Sequence, residues 1–253
     1  MMTNNIFVTT AIDYPNALPH IGTAFEKIGA DVYARLRRFQ GYDVFFSMGN
    51  DENTIKVTKA LQELAHSGMT SEPDLTFKQY VDKMAANFKA VWHQLDISND
   101  SFIQTSDEYH KVGVQLFLNA VNAAGYIEKR PYKGLYCDGC EEFKTQNSLV
   151  DGKCPNHQTP LVEREEENYF FLLSRFKEKV LELLGNSTLL IEPEARYNEV
   201  RNFVQTELHD ISISRKNEGW GIPIPWDNSQ VTYVWFDALL NYLTVVGFGS
   251  NEK

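Results

Sequence analysis

The sequence has no run of 18 apolar residues, which excludes a membrane-spanning helix and leaves no membrane partner to expect. Its N-terminus, MMTNNIFVTT, lacks the basic stretch and long apolar core of a secretion signal, so a cytoplasmic address is expected. Cysteine is scarce: there are three, an odd number that does not make a disulfide framework. Positive charge is short as well. Lys and Arg total 24 against 34 Asp and Glu, a net charge of −10, with an acidic run at Glu163–Glu167. A chain whose main task is gripping a nucleic-acid backbone needs a basic face, so that class is disfavoured, although local contact with nucleic acid is not. Internal repeats and low-complexity linkers are absent, and so are the two common phosphate-loop signatures, GxGxxG and GxxxxGK[ST]. What remains is an ordinary globular composition, 43% hydrophobic and 23% charged, in a chain long enough for one large domain or two modest ones.

The hydrophobic pattern gives the organisation. NIFVTTAI (Asn5–Ile12) is β-branched and apolar and reads as a buried strand. Ile21, Phe25, Ile28, Val32, Leu36 and Phe39 recur at three- and four-residue steps, an amphipathic helix that Gly41 ends. YDVFFSMG (Tyr42–Gly49) is a second strand, and a second helix starts within the stretch that follows it. Strand, helix, strand in about fifty residues is a βαβ unit, so a parallel sheet is expected. Phe77, Tyr80, Met84, Phe88, Val91 and Leu95 mark a long helix, SFIQT (Ser101–Thr105) another strand, and a further helix runs to Gly125. From Tyr126 to Phe171 the pattern changes to short strands and turns that contain all three cysteines. Helical stretches at Leu172–Leu184 and Glu194–Leu208 follow, and QVTYVWF (Gln230–Phe236) restores strand character before DALLNYLTVV. The expected division is a first half-domain at 1–115, an insertion at 116–212 and the start of a second half at 213–253, with about four strands in an unfinished sheet.

Four stretches carry chemistry. CDGC places Cys137 and Cys140 three apart, and CPNH places Cys154 and His157 three apart, with thirteen residues between the pairs. Two such knuckles can close a Cys3His shell around Zn2+, and four protein ligands leave no open position, so the expected zinc is structural. PHIGT (Pro19–Thr23) lies at a strand-to-helix turn, where unpaired N–H groups and the positive dipole end attract phosphate. Gly22 admits a nucleotide close to the backbone, and His20 and Thr23 offer donors, though a His there also suits a helix cap. GNDENT puts Asp51 at the C-terminal end of a strand, where a carboxylate can hold an amino group or, with Asn50, cap a helix. In YVWFDALLNY, Trp235, Ala238 and Tyr242 share one face if a helix begins near Trp235, forming a pocket wall or simply core packing.

Together these stretches resemble the methionyl-tRNA synthetase family of class I aminoacyl-tRNA synthetases. FVTTAIDYPNALPHIG resembles its first strand and HIGH motif, ADVYARLRRFQGYDVFF the helix and strand that follow, and GNDEN its acidic turn. YCDGCEEF and LVDGKCPNH resemble the zinc knuckle of its connective peptide, and EEENYFF, NEVRNF, ISISR, WGIPIPW and YVWFDALLNYL complete a likeness from about Ile6 to about Val246. The resemblance implies an α/β fold, a Rossmann-type parallel sheet, here incomplete, interrupted by the zinc-knuckle insertion. It implies ATP-dependent activation of methionine to methionyl-adenylate, with Mg2+ as the co-substrate ion, then transfer to tRNA. Position by position, Asp51 would bind the methionine amino group, and Ala11, Ile12, Tyr14, Trp235, Ala238 and Tyr242 would line the pocket. His20, Gly22 and Thr23 would serve ATP, with His20 and Thr23 as the catalytic pair, by positioning and electrostatics.

The departures are specific. The last position of HIGH is Thr23, which removes one strong donor, and Asp13 brings a carboxylate to an ATP-binding turn unless it faces away or is paired. A KMSKS-like lysine pair is absent from the 253 residues, so the chain alone is not expected to charge tRNA efficiently; the missing half belongs to a longer form of the chain or to a complementary chain, or has been lost. The alternative is a truncated non-catalytic paralogue that binds methionine or a protein partner. A zinc-stabilised nucleic-acid-binding module is a third reading, which the net charge opposes.

Overall fold

The computed structural model describes residues 4–66, 75–137, 142–144, 149–217 and 219–250. The chain divides into two compact units, one of residues 1–120 and 216–253 and the other of residues 121–215. In the first, β1 (Asn5–Thr9), α1 (Ile21–Phe39), β2 (Asp43–Asn50), α2 (Ile55–His66), α3 (Phe77–Gln94), β3 (Ser101–Gln104) and α4 (Glu108–Ala123) follow in order. The three strands form a parallel sheet ordered β1-β2-β3, with Val8 opposite Phe46 and Met48 opposite Phe102. The central β2 is buried along nearly its whole length, as a parallel strand covered on both faces must be. Val8, Val44, Phe46 and Met48 pack with Tyr80, Val81, Met84, Phe88 and Trp92 of α3, and Thr76 opens that helix with a capping box to Gln79.

Helix α1 forms where its periodicity predicts, but the expected apolar stripe is not the core face. Its buried residues are Lys27, Asp31 and Ala34, while Ile21 is 89% exposed, Phe25 82% and Phe39 90%, with Val32 and Leu36 also exposed. Among the described residues β1 is an edge strand, so no sheet extends beneath that stripe to cover it. Gly41, at φ +87°, ends the helix in the left-handed conformation.

The second unit is built on a long antiparallel ribbon rather than the short strands expected. β4 (Ile127–Cys137) pairs with β6 (Val162–Phe171) over ten registered positions, and β5 (Glu142–Lys144) adds to the outer edge of β4. The acidic run on β6 faces basic residues across the ladder: Lys129 lies 3.6 Å from Glu167 and Lys133 3.8 Å from Glu163. Such exposed pairs set register more than stability. A 3-10 turn (Leu173–Phe176), α5 (Lys177–Gly185) and α6 (Glu194–Thr206) follow, and β7 (Ile211–Ser212) pairs with the end of β6.

After β8 (Ser214–Lys216), the chain makes an antiparallel hairpin of β9 (Pro223–Ile224) and β10 (Asp227–Thr232). The strand expected at Gln230–Phe236 is corrected here. β10 stops at Thr232 and does not join the parallel sheet; α7 (Val234–Leu239) and α8 (Asn241–Thr244) follow directly. The reason is packing against α4. Phe117 meets Phe236 and Phe248 at ring-centroid distances of 6.0 and 6.2 Å, and buried His110 places Nδ1 2.8 Å from Thr244 Oγ1. Gly113 allows this approach, because a Cβ there would lie 2.4 Å from Thr244 Cγ2 and 2.9 Å from the Phe248 carbonyl oxygen. Among the described residues no helix is long and apolar enough to cross a membrane. Substituting Gly113→Ala should overpack the contact and destabilise the chain by about 1–3 kcal/mol in urea unfolding. A change within about 0.5 kcal/mol, the usual span of a surface substitution, would show that the contact does not fix α8.

Candidate active site

The strand-to-helix turn after β1 is held from α1 by one buried cation. Lys27 Nζ donates to the Ala11 carbonyl at 2.8 Å and lies 3.0 Å from Asp13 Oδ2 and 3.1 Å from Glu26 Oε2. An ammonium has three N–H groups, and three acceptors surround this one. Glu26 Oε1 accepts from the Ala11 N–H at 2.7 Å, so the two α1 side chains grip both sides of the Ala11 peptide unit. Asp13 is therefore paired and not a stray charge at the turn, although burial still pushes its carboxyl above the ordinary range. The Asp13 backbone continues the ladder for one step: its N–H donates to the Gly49 carbonyl at 3.0 Å and its carbonyl accepts from the Asp51 N–H at 2.8 Å. Ile12 is half-buried between these anchors.

His20 is the N-cap of α1. Its Nδ1 accepts from the Gly22 N–H at 3.0 Å and the Thr23 N–H at 3.4 Å, while Thr23 Oγ1 accepts from the His20 N–H at 3.0 Å. This is a capping box with a histidine in the usual Ser/Thr position. His20 and Gly22 are exposed.

Asp51 follows the C-terminal end of β2, where parallel sheets receive ligands. It is not a helix cap. Thr54 takes that place at the start of α2, its hydroxyl accepting from the Lys56 N–H at 3.3 Å. Asp51 is buried, and its Oδ1 has no hydrogen-bond partner among the described residues. Burial first, then the neighbouring Glu52 charge, pushes its carboxyl up to about 8, with Lys56 opposing. Glu52 is held differently: it accepts from Gln104 Nε2 at 3.0 Å and the Ser106 N–H at 3.2 Å.

A second buried carboxylate belongs to Asp237 on α7. Its Oδ2 accepts from Asn53 Nδ2 at 3.1 Å, Asn53 also donates to the Thr105 carbonyl at 3.2 Å, and Oδ1 has no partner among the described residues. Burial and the Asp51 charge raise it well above the ordinary range. Tyr14 stands beside both acids. Burial, then Asp51, Tyr233 and Asp237, push its phenol up to about 12, and Lys56 Nζ sits 4.6 Å over its ring. Tyr242 brings α8 to β1, its hydroxyl donating to the Thr10 carbonyl at 3.4 Å. Ala238 is buried one residue after Asp237, and Trp235 is 58% exposed on the first turn of α7. The break at Leu240 means Trp235, Ala238 and Tyr242 stand on two short helices, not on one continuous face.

Sequence reasoning passed over Lys27, Asn53, His110 and Asp237. An Asp inside WFDALL, with apolar residues on both sides, was a usable signal for burial; Lys27 offered none. The thiols of Cys137 and Cys154 and a ring nitrogen of His157 come within 4.8 Å of one another in the second unit, with His157 Nδ1 3.9 and 3.7 Å from the two sulfurs. Both cysteines are buried and His157 is exposed. Cys140 lies outside the described residues.

The buried acids give stability a pH dependence. A carboxyl raised in the fold keeps its proton after the unfolded chain has released it, so stability falls as pH rises between the two values. For Asp51 that window ends at about 8. His110, which burial lowers to about 4, acts oppositely and adds stability only up to its ordinary value of 6.5. Between pH 6.5 and 8 a single retained proton should cost about 1 kcal/mol of stability per pH unit. Denaturation midpoints across that interval should fall for the wild type and less steeply for Asp51→Asn, since burial also raises Asp237; a flat wild-type profile would mean that neither acid holds the proton.

Comparison with known proteins agrees with this arrangement. Residues 6–161 and 157–253 match the family described as tRNA synthetases class I (M). The methionine–tRNA ligase of Clostridium acetobutylicum is 39% identical over 247 residues, covering 97% of this chain and 37% of that protein. The Thermotoga maritima methionine–tRNA ligase is 39% identical over 251 residues, covering 98% of this chain and 38% of that one. Among solved structures, Mycobacterium tuberculosis methionyl-tRNA synthetase in complex with methionyl-adenylate superposes with a TM-score of 0.85 at 38% identity, over 98% of this chain and 48% of that chain. The apo form of the same enzyme gives 0.76 at 35% identity. The chain thus spans about two fifths of the curated relatives and about half of the solved chains. With a parallel βαβ unit, a capped strand-to-helix turn and a family match running the length of the chain, it belongs to the class I methionine–tRNA ligase family.

Proposed function

We propose that the chain is the N-terminal catalytic portion of a methionine–tRNA ligase. It binds methionine and ATP, supports formation of methionyl-adenylate with release of pyrophosphate, and acts on tRNA when the remaining, KMSKS-containing part of the catalytic fold is supplied. The observation that carries this reading is Asp51, a buried carboxylate with an open oxygen at the C-terminal end of β2. An ammonium group satisfies such an oxygen far better than water does, because a charge-assisted hydrogen bond in a dry site is strong. Ala11, Ile12, Tyr14, Trp235, Ala238 and Tyr242 form the apolar surround for the methionine side chain. His20 and Gly22 stand at the α1 N-terminus, where the helix dipole and the imidazole favour the triphosphate of ATP with its Mg2+.

The exposed face of α1 suits that remaining part. Six apolar residues from Ile21 to Phe39 line one helix without cover, and a cleft of about 510 Å3 lies along β1, lined by Ile6, Phe7, Phe45, Val245 and Val246. Asn5 and Asp43 put that cleft at the N-terminal ends of β1 and β2, away from the end where a parallel sheet binds substrate, so it suits packing rather than catalysis. A truncated paralogue without catalysis is the second reading, supported by Thr23 at the last position of HIGH.

The Cys137, Cys154 and His157 cluster suits a structural Zn2+ in the connective-peptide insertion, with Cys140 as the fourth ligand. Tetrahedral zinc sets its sulfur and nitrogen ligands about 3.6 Å apart, close to the separations of 3.7 and 3.9 Å here. The metal would tie the end of β4 to the turn at Cys154–His157.

Methionine-dependent ATP–pyrophosphate exchange tests the function. The chain mixed with the C-terminal remainder of a relative should show exchange, and Asp51→Asn should raise KM for methionine about 10–100-fold with little change in KM for ATP. Methionine binding without exchange in any mixture would establish the non-catalytic reading. Protein purified without chelator should carry about one equivalent of zinc, and Cys154→Ser should lose it; less than half an equivalent in the wild type would remove the zinc assignment.

A further inference from the structure

His20, Gly22 and Thr23 hold one another in a way that decides where the imidazole proton sits. The Nδ1 of His20 faces two backbone N–H groups, those of Gly22 at 3.0 Å and Thr23 at 3.4 Å. A backbone N–H only donates, so Nδ1 must present its lone pair, and the proton of the neutral ring resides on Nε2. Thr23 clamps the same residue by its backbone: Oγ1 accepts from the His20 N–H at 3.0 Å and donates to the His20 carbonyl at 2.7 Å. Gly22 supplies the space. A Cβ there would lie 2.9 Å from His20 Cε1 and 3.0 Å from Nδ1, so the ring occupies the volume that any other side chain would fill.

We propose that Gly22 and Thr23 are positioning residues that lock His20 in its Nε2–H tautomer, leaving that N–H on the far side of the ring as a fixed donor for an anionic phosphoryl group. Thr23 directs its hydroxyl proton to the His20 carbonyl, so it acts on the nucleotide through His20 rather than by touching it. Gly22 likewise serves the ring before it serves any ligand. The substitution of Thr at the last position of HIGH thereby changes a direct donor into part of the cap, and leaves His20 Nε2–H as the imidazole's donor at the turn. The tautomer claim stands on the cap geometry alone; its use toward phosphate rests on the ATP reading above.

The test is long-range 1H–15N correlation NMR on the histidine rings of the full chain at neutral pH, with His20 assigned by the signals lost in His20→Gln. The wild type should show His20 as a single Nε2–H tautomer. Thr23→Val should lose that single pattern and give a mixture of tautomers, and Thr23→Ser should restore it. Gly22→Ala, which displaces the ring while keeping the Thr23 hydroxyl, should cause the same loss and covers the case in which Thr23→Val does not fold. A wild-type ring that is Nδ1–H or averaged, or a Thr23→Val spectrum identical to wild type in a folded chain, overturns the proposal. Adding ATP with Mg2+ separates the two claims. Movement of the His20 Nε2–H resonance supports both, whereas a locked tautomer that ignores ATP keeps the positioning role and overturns the phosphate role.

Discussion

The constraint on which the rest depends is the burial of Lys27. A fully buried ammonium is expensive unless every N–H is met, and the three available acceptors are the Ala11 carbonyl, Asp13 and Glu26. Meeting them fixes the exit of β1 against the second turn of α1, where Glu26 and Lys27 lie. The Asp13 backbone then reaches Gly49 and Asp51, which sets where the carboxylate of Asp51 emerges from β2. One cation on the inner face of a helix thus orders two consecutive strand ends. Removing it would leave the Asp13 carboxylate half-buried without the cation 3.0 Å away.

The second theme is a local excess of negative charge. Asp51 and Asp237 are both buried, each keeps one oxygen without a partner among the described residues, and the neutral amide of Asn53 donates to Asp237. Two acids so placed cannot both ionise at low cost, and a bound cationic group relieves them. The pair therefore favours holding a proton, and a cation placed beside it would release that proton. Helix α4 holds the far side of this arrangement through His110, whose ring lies beside the Asp237 carbonyl and bonds Thr244. The neutral state of that ring follows from its burial.

Much of the first unit was legible. Periodicity and caps marked β1, α1, β2, α3, β3 and α4, because local pattern and tertiary packing agree there. Where they diverge, reading failed for identifiable reasons. YVWF has the composition of a strand, yet Tyr233 ends the extended segment and α7 begins, because Phe236 and Thr244 have partners on α4. The apolar stripe of α1 was visible as a stripe, but periodicity names a face without saying what lies opposite it. Asp51 and His20 were visible from their places at strand and helix ends. Lys27 was not, since a lysine among small residues looks like any solvated one, and Asn53 gained its role only through Asp237, 184 positions away.

The uncovered face of α1 also has a colloidal consequence. A contiguous apolar stripe of this length favours self-association, and the net charge of −10 opposes it at a distance. Salt shortens the reach of that repulsion to about 10 Å at 0.1 M and leaves the apolar attraction intact. With that face uncovered, long-range charge opposes association of two copies and the character of this face favours it. High-salt buffers, which usually quiet adventitious contacts between proteins, weaken that opposition.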